Sequence, residues 1–574
     1  MMKKTSRVLT ALLASAMLLS ACSGGGESST ASSTASSGAT STADESGSSE
    51  TFDPMAKYDE TITVKLCGSM NSADDYDGYT IENSPWTEML LNDYNIKLEY
   101  MWTVGSDSDY RTRMDLAIAS NDMPDIIRTA NYSQFDKLAR AGRLKDVTGM
   151  FEEYIRPEYQ EFVLQANPQA LEYGTYDGVT YGVTVAGPNY NNGRMVMIRA
   201  DWMEELNIEE PTTMEEVIEI GKRFVDEGLA TYALPLNKDV MITSDMCDIT
   251  AVANAYGAYP KIWIDDGNGG LEYGTVQPEM KDAIQVYADL YADGYIDPAF
   301  ASLDGNTVAE SMTSNQFGIM MGPFWLITWP LNSNYELDGV TWNCYPVPAS
   351  ETYDGEMLQQ VPAASGSYFA VNAEFDHPEA LFKILNAVTD KLTDPDPEVQ
   401  ATFHSYQKED GNSVGIHMLN PLGEYIGDPR INPETNTHVT QAIDNNDESY
   451  LVSSHDILQY PKVKQYFDDL EAGVKPSTDN WCMYMLFYGD TSCYAIINDY
   501  LSNDSYISCA LNGYTTDTMN LQWENMKMIE DQYVVEMISG TRDVDSGFDE
   551  FVSAWEGMGG TTIIEEVNEW YKSR

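Results

Sequence analysis

The chain has little positive charge. Its 574 residues hold 32 lysines and arginines against 91 aspartates and glutamates, a formal net charge of −59. A phosphate backbone is repelled by such a surface, which argues against a nucleic-acid partner and against unaided docking on an anionic lipid face. Histidine is scarce too. His377, His404, His417, His438 and His455 stand apart without metal-ligand spacing, so no metal site is expected. None of the seven cysteines forms a CxxC pair. In an exported, oxidising setting the pairing stays open between buried thiols and disulfides, although Cys482, Cys493 and Cys509 lie near enough in sequence for one bridge. No stretch after the N-terminal region approaches the roughly 18 apolar residues of a transmembrane helix. G-x-S-x-G elbows, P-loops and strand-linked G-x-G-x-x-G turns are missing. Among 91 carboxylates any pair is uninformative, because glycosidase geometry is spatial. Neither catalytic residues nor a cofactor are expected.

What is present begins with an export signal: Lys3, Lys4 and Arg7 precede an apolar stretch from Val8 to Leu19. Leu19-Ser20-Ala21-Cys22 resembles a bacterial lipobox, which makes Cys22 the expected lipidation site and residues 1–21 the signal peptide. Residues 23–50 are mostly Ser, Thr, Gly and Ala, too poor in apolar surface to offset the entropy of ordering, and read as a tether. More than five hundred residues follow, too many for one core, so two or more lobes are expected.

The body opens with alternating, β-branched Thr61-Ile62-Thr63-Val64-Lys65-Leu66, a strand. A helix over 85–93, a strand over 96–101, a helix over 111–120 and a buried strand over 123–127 follow, an α/β order that implies parallel pairing.

Leu116-Ala117-Ile118-Ala119-Ser120-Asn121-Asp122-Met123-Pro124-Asp125-Ile126-Ile127 is followed along the chain by Gly142 to Thr148, Tyr176 to Val183, Ile198 to Trp202, Gly318 to Trp325, Phe369 to Ala380 and Phe548 to Tyr571. In this order these segments resemble those of the extracellular solute-binding proteins of ABC importers, in the family that holds maltodextrin- and alginate-oligosaccharide-binding proteins. The first is similar to the family's L-A-S-G-D-x-P-D-I turn, with Asn121 where glycine is usual. The resemblance implies a two-lobed, periplasmic-binding-protein-like α/β fold, each lobe a mostly parallel sheet flanked by helices, with a ligand cleft between them. The expected division is a tether over 22–58, an N-terminal lobe of 59–185 plus about 346–425, and a C-terminal lobe of about 186–345 plus 426–574. Some relatives carry a calcium loop after the helix that here runs over 213–226; Val225 to Pro235 lacks the alternating oxygen ligands, so no calcium is expected there.

A sugar offers hydroxyls to amides and C–H faces to rings, and 37 Tyr with 11 Trp supply the rings. The resemblance puts Trp325 beside the cleft, with Trp329 second. Tyr190, Asn191 and Asn192 sit in a Gly/Pro/Asn loop at the expected lobe crossing. Asn131 and Tyr132 follow a parallel strand's carboxyl end, where open α/β sheets place ligands. Trp102, Trp481 and Tyr484 are further candidate cleft walls, the last two read as opening a loop. Arg199 and Asp201 read as a structural pair or cap. The expected activity is capture of an oligosaccharide by lobe closure and delivery to the ABC permease, by a monomer held at the outer membrane face through its lipid alone, a plan that suits a Gram-positive surface. The rival readings are a binder of peptides or other polar solutes, and a surface glycosidase or lyase.

Overall fold

A computed structural model describes residues 53–70, 72–129, 132–166, 170–171, 174–176, 178–184, 190–241, 246–361, 368–408, 413–424, 426–511 and 514–572. Cys22, the signal segment and nearly all of the tether lie outside them, as does Asn131. Among the described residues no helix is long and apolar enough to cross a membrane.

The expected elements form, with shifted ends. Ile62–Ser69 buries Val64 and Leu66 on one face and pairs in parallel with Ile96–Val104. Between them, Pro85–Tyr94 starts with proline in its first turn behind Ser84 and stops at left-handed Asn95. Asp107–Ser120 is capped by Ser106 and ends at Asn121, whose φ of 55° is the left-handed conformation that glycine usually supplies and asparagine tolerates. The chain thereby turns into Ile126–Arg128, and the Asp125 N–H donates to the carbonyl of Lys65 at 3.0 Å, setting this strand beside the first.

Apolar packing separates two lobes. Val64, Trp86, Ile126, Val183, Phe369, Leu385 and Ile426 share one core, and Met114, Phe135 and Ala370 join a smaller cluster in the same lobe. The other lobe holds one core around Val196, Trp202, Phe224, Tyr287, Phe551 and Trp555, and a second around Met320, Leu326, Trp342, Val439 and Cys493. Close packing requires Gly318, where a Cβ would stand 2.5 Å from the Phe224 ring and 2.6 Å from the Trp202 ring.

Within the two-lobed α/β fold, two details depart from the expected arrangement. The sheets are more mixed than the expected mostly parallel arrangement: besides the two opening strands, Gln359–Val361 runs parallel to Tyr506–Ser508, but Phe369–Val371 lies antiparallel to both Ile126–Arg128 and Gly182–Val183. A strand that re-enters a lobe after crossing from the other runs back against those it joins. The second crossing also falls later than 346. Val347, Met357 and Leu358 pack in the C-terminal lobe, where the backbone of Gln359–Val361 is already paired, so residues 346–361 belong with that lobe and the chain re-enters the first by Phe369.

Candidate functional site

In the C-terminal lobe, Met195–Arg199 is the middle strand, antiparallel to Ile319–Gly322 and to Trp342–Pro346. Met195 pairs with Gly322 and Pro346, so the start of the middle strand and the ends of both neighbours meet at one edge. The segments just outside that edge are Tyr190–Asn192, before the middle strand, and Phe324–Ile327, after Gly322. Tyr190, Asn191 and Asn192 are therefore brought to the same end of the sheet as Trp325 and Trp329.

The two indoles are stacked, with centroids 6.3 Å apart and planes 21° off parallel, and Trp329 is 42% exposed. The backbone fixes their spacing: the Trp329 N–H donates to the Trp325 carbonyl at 3.0 Å, as does the Thr328 hydroxyl at 2.8 Å. Phe324, beside them, packs on Tyr494 at 5.1 Å. Across the edge, the Tyr506 hydroxyl donates to the Tyr190 carbonyl at 2.9 Å. The Asn191 side-chain oxygen is buried with no hydrogen-bond partner among the described residues. Such an acceptor carries an uncompensated desolvation cost that a ligand hydroxyl relieves. Burial, then Asp504, raises the Tyr190 phenol above its usual range, with Arg430 opposing, so it is a neutral hydroxyl at neutral pH.

Below this edge, Arg194 is 1% exposed and pairs with buried Asp248. Its N–H donates to Gln359 Oε1 at 3.0 Å, and its carbonyl accepts from the Tyr500 hydroxyl at 3.1 Å. This network fixes the backbone where the chain enters the lobe.

In the N-terminal lobe the carboxyl ends of the first and third strands border a cavity of about 120 Å³ lined by Ser69, Tyr100, Arg128, Met418, Asn420 and Gly423 among others. The buried Tyr100 hydroxyl has no partner among the described residues. Beside the cavity runs a stack that the sequence reading did not find beyond Trp102: Arg113 over Trp102 at 5.3 Å, Trp102 against Tyr110 at 5.3 Å, and Arg128 over Tyr110 at 4.7 Å. The signal for Arg128 was present, since it ends the strand that precedes Asn131 and Tyr132. Tyr132 contacts Phe135 and Tyr368 in its own lobe and Tyr514 of the other.

Trp481 and Tyr484 are placed elsewhere. They lie on the helix Thr478–Phe487 rather than in a loop, because Ser477 caps it by accepting from the Asn480 N–H, and Trp481, Cys482, Met485 and Leu486 turn into the core. Trp481 is 2% exposed and stacked on Tyr335 at 4.3 Å, so the structure withdraws it from the cleft wall. The face of Tyr484 is taken by Tyr466 at 4.0 Å. Arg199 and Asp201 form an ion pair, with Asp201 also accepting from the Thr341 N–H at 3.2 Å. Asp265 and Asp266 accept from backbone N–H groups of Gly267, Asn268 and Gly270, a hydrogen-bonded turn.

Rings, amides and a guanidinium at two strand-end edges suit a polyhydroxylated, partly apolar solute.

The chain is similar to several known proteins. The model of the bacterial extracellular solute-binding protein family matches residues 77–392. Lipoprotein LipO of Bacillus subtilis is 20% identical over 527 residues, 86% of this chain and 89% of that protein. The polygalacturonan/rhamnogalacturonan-binding protein YtcQ of the same species is 23% identical over 234 residues, 40% of this chain; that alignment spans only 44% of YtcQ. Among solved structures, the alginate-binding protein AlgQ2, determined without calcium ion, superposes with a TM-score of 0.55 at 16% identity, covering 90% of this chain and 99% of AlgQ2. The HMO-binding solute-binding protein of Bifidobacterium longum infantis gives 0.57 at 13% identity over 89% and 98% of the two chains. FusA of S. pneumoniae in complex with kestose gives 0.56 at 15% identity over 89% and 99%.

Proposed function

Because the chain belongs to the family of bacterial extracellular solute-binding proteins, we propose that it captures an oligosaccharide between its lobes and delivers it to the permease of an ABC importer. The observation that carries this reading is the stacked pair Trp325 and Trp329 at the same sheet edge as the buried Asn191 amide oxygen, which has no hydrogen-bond partner among the described residues. Flat rings take the C–H face of a pyranose, and an orphaned acceptor takes a hydroxyl. The names of AlgQ2, FusA, the HMO-binding protein and YtcQ support a saccharide as the cargo.

The ligand contacts we propose are Trp325, Trp329, Tyr190, Asn191 and Asn192 from one lobe and Trp102, Asn131 and Tyr132 from the other, to which Arg128 is added. A ligand that touches both lobes gains contacts only when they close, and that difference shifts the population to the closed form. The closed form docks on the permease; no bond in the cargo is made or broken. The chain acts as a monomer on a lipid at Cys22, at the outer face of a Gram-positive membrane. Calorimetry against oligosaccharides and peptides, with the cargo recovered and weighed by mass spectrometry, tests this. Saturable binding of an oligosaccharide returned intact is expected. Exclusive peptide binding, or recovery of shortened sugars, overturns it.

A further inference from the structure

Four of the cysteines, Cys247, Cys344, Cys482 and Cys493, share one apolar core of the C-terminal lobe. Two of them touch. The sulfurs of Cys344, on the edge strand Trp342–Pro346, and Cys493, the first residue of the helix Cys493–Ser502, are 3.5 Å apart at 2% and 0% exposure. Cys493 follows Ser492, whose hydroxyl caps the helix by accepting from the Ala495 N–H at 3.3 Å and also accepts from Asn436 Nδ2 at 2.7 Å. Cys344 is fixed by its strand, opposite Met197. By contrast the Cys482 thiol faces the Ile327 carbonyl at 3.4 Å, and Cys509 lies in a different core. Sequence proximity allowed one bridge among Cys482, Cys493 and Cys509 and left the pairing open, whereas the fold brings Cys493 to a cysteine 149 positions away.

We propose that Cys344 and Cys493 form a disulfide when the exported chain folds. A disulfide needs sulfurs at about 2 Å, and two buried thiols already in contact are the pair with the least to move. The oxidant is a small-molecule or enzyme disulfide. The thiolate of one cysteine attacks it and forms a mixed disulfide, releasing the first thiol. The second cysteine's thiolate then attacks the protein-bound sulfur, releasing the second thiol. Two S–H bonds are lost, one S–S bond forms, and the oxidant's S–S bond becomes two thiols. This exchange occurs while the chain is still open, because in the finished core burial raises the Cys493 thiol far above its usual range and both sulfurs are out of reach of solvent.

The bridge sits under the binding edge. Tyr494, next to Cys493, packs on Phe324, the neighbour of Trp325. From the same helix the Tyr500 hydroxyl donates to the Arg194 carbonyl and accepts from the Val347 N–H at 2.8 Å. A covalent tie between strand and helix therefore stiffens the support of the aromatic pair, and a loop this long gains more from closure than a short one.

The test is peptide mapping of the full-length protein, exported and purified without reductant, then alkylated in denaturant and digested. One linked peptide pair carrying Cys344 and Cys493 is expected, lighter by two hydrogens than its separate halves and lost on reduction. In C344S and in C493S the remaining partner appears alkylated, and reductant lowers the melting temperature of the wild type by several degrees but not that of the double variant. Recovery of both residues as alkylated thiols, or linkage of either to Cys247, Cys482 or Cys509, overturns the proposal. The wild-type map decides the matter even if a variant does not fold.

Discussion

The ring of Tyr132 in the N-terminal lobe stands 6.1 Å from that of Tyr514 in the C-terminal lobe. Tyr514 is in turn stacked on Trp570 at 4.5 Å, and the neighbouring Ser133 hydroxyl lies 3.1 Å from Asn520 Oδ1. These contacts cross the division between the two cores, so they stabilise whichever lobe arrangement holds them together. Tyr132→Ala and Tyr514→Ala are each expected to weaken ligand binding severalfold. In a double-mutant cycle the two should couple by about 0.5–1.5 kcal/mol. Additive losses would show that the rings act independently.

Trp325 and Trp481 make opposite predictions. Trp325→Ala should weaken binding at least tenfold and leave the circular dichroism and melting temperature near wild type, because its ring is only partly packed. Trp329→Ala should lose less. Trp481→Ala empties a buried site against Tyr335 and should cost about 3–5 kcal/mol of stability, with the folded fraction binding normally. Calorimetry and thermal melts on the three variants distinguish these outcomes.

Arg194 and Asp248 form a buried pair at the entry to the C-terminal lobe. Removing one partner leaves an uncompensated charge, so Asp248→Ala should destabilise by about 3–5 kcal/mol, while replacing both with apolar residues should cost far less. Denaturant midpoints of the single and double variants measure the difference.

The contribution of two buried histidines to stability should fall on mild acidification. Burial depresses His404 to about 4, helped by the stacked ring of His417 at 4.7 Å, and depresses His455 to about 4, opposed by Asp456 and helped by His404. Above pH 6.5 both are neutral folded or unfolded and contribute no pH dependence. Between pH 6.5 and about 4 the unfolded chain takes up protons that the folded one refuses, so stability falls across that window and levels off below it. Both rings keep some solvent contact, His404 more than His455, so screening holds the joint loss to the order of a few kcal/mol. Replacing both with glutamine should flatten the profile between those limits.

Much of the N-terminal lobe was legible because its signals are local. Alternation gave the first strand, read as 61–66 against the observed Ile62–Ser69, and Asn121 takes the place of the family's glycine through the left-handed conformation both residues accept. What was missed depends on distant partners. Nothing near Trp481 in sequence announces Tyr335, which covers its face, and polar neighbours made a helix look like a loop. The stack of Arg113, Trp102, Tyr110 and Arg128 joins a strand, a helix and another strand that only the fold aligns. The boundary expected near 346 falls within the C-terminal core, where Val347, Met357 and Leu358 are apolar enough to stay.

Small-angle scattering of the full-length protein, with and without a saturating oligosaccharide found by calorimetry, tests lobe closure most directly. A smaller radius of gyration and a shorter maximum dimension on binding are expected. Superimposable profiles at full occupancy would contradict capture by closure.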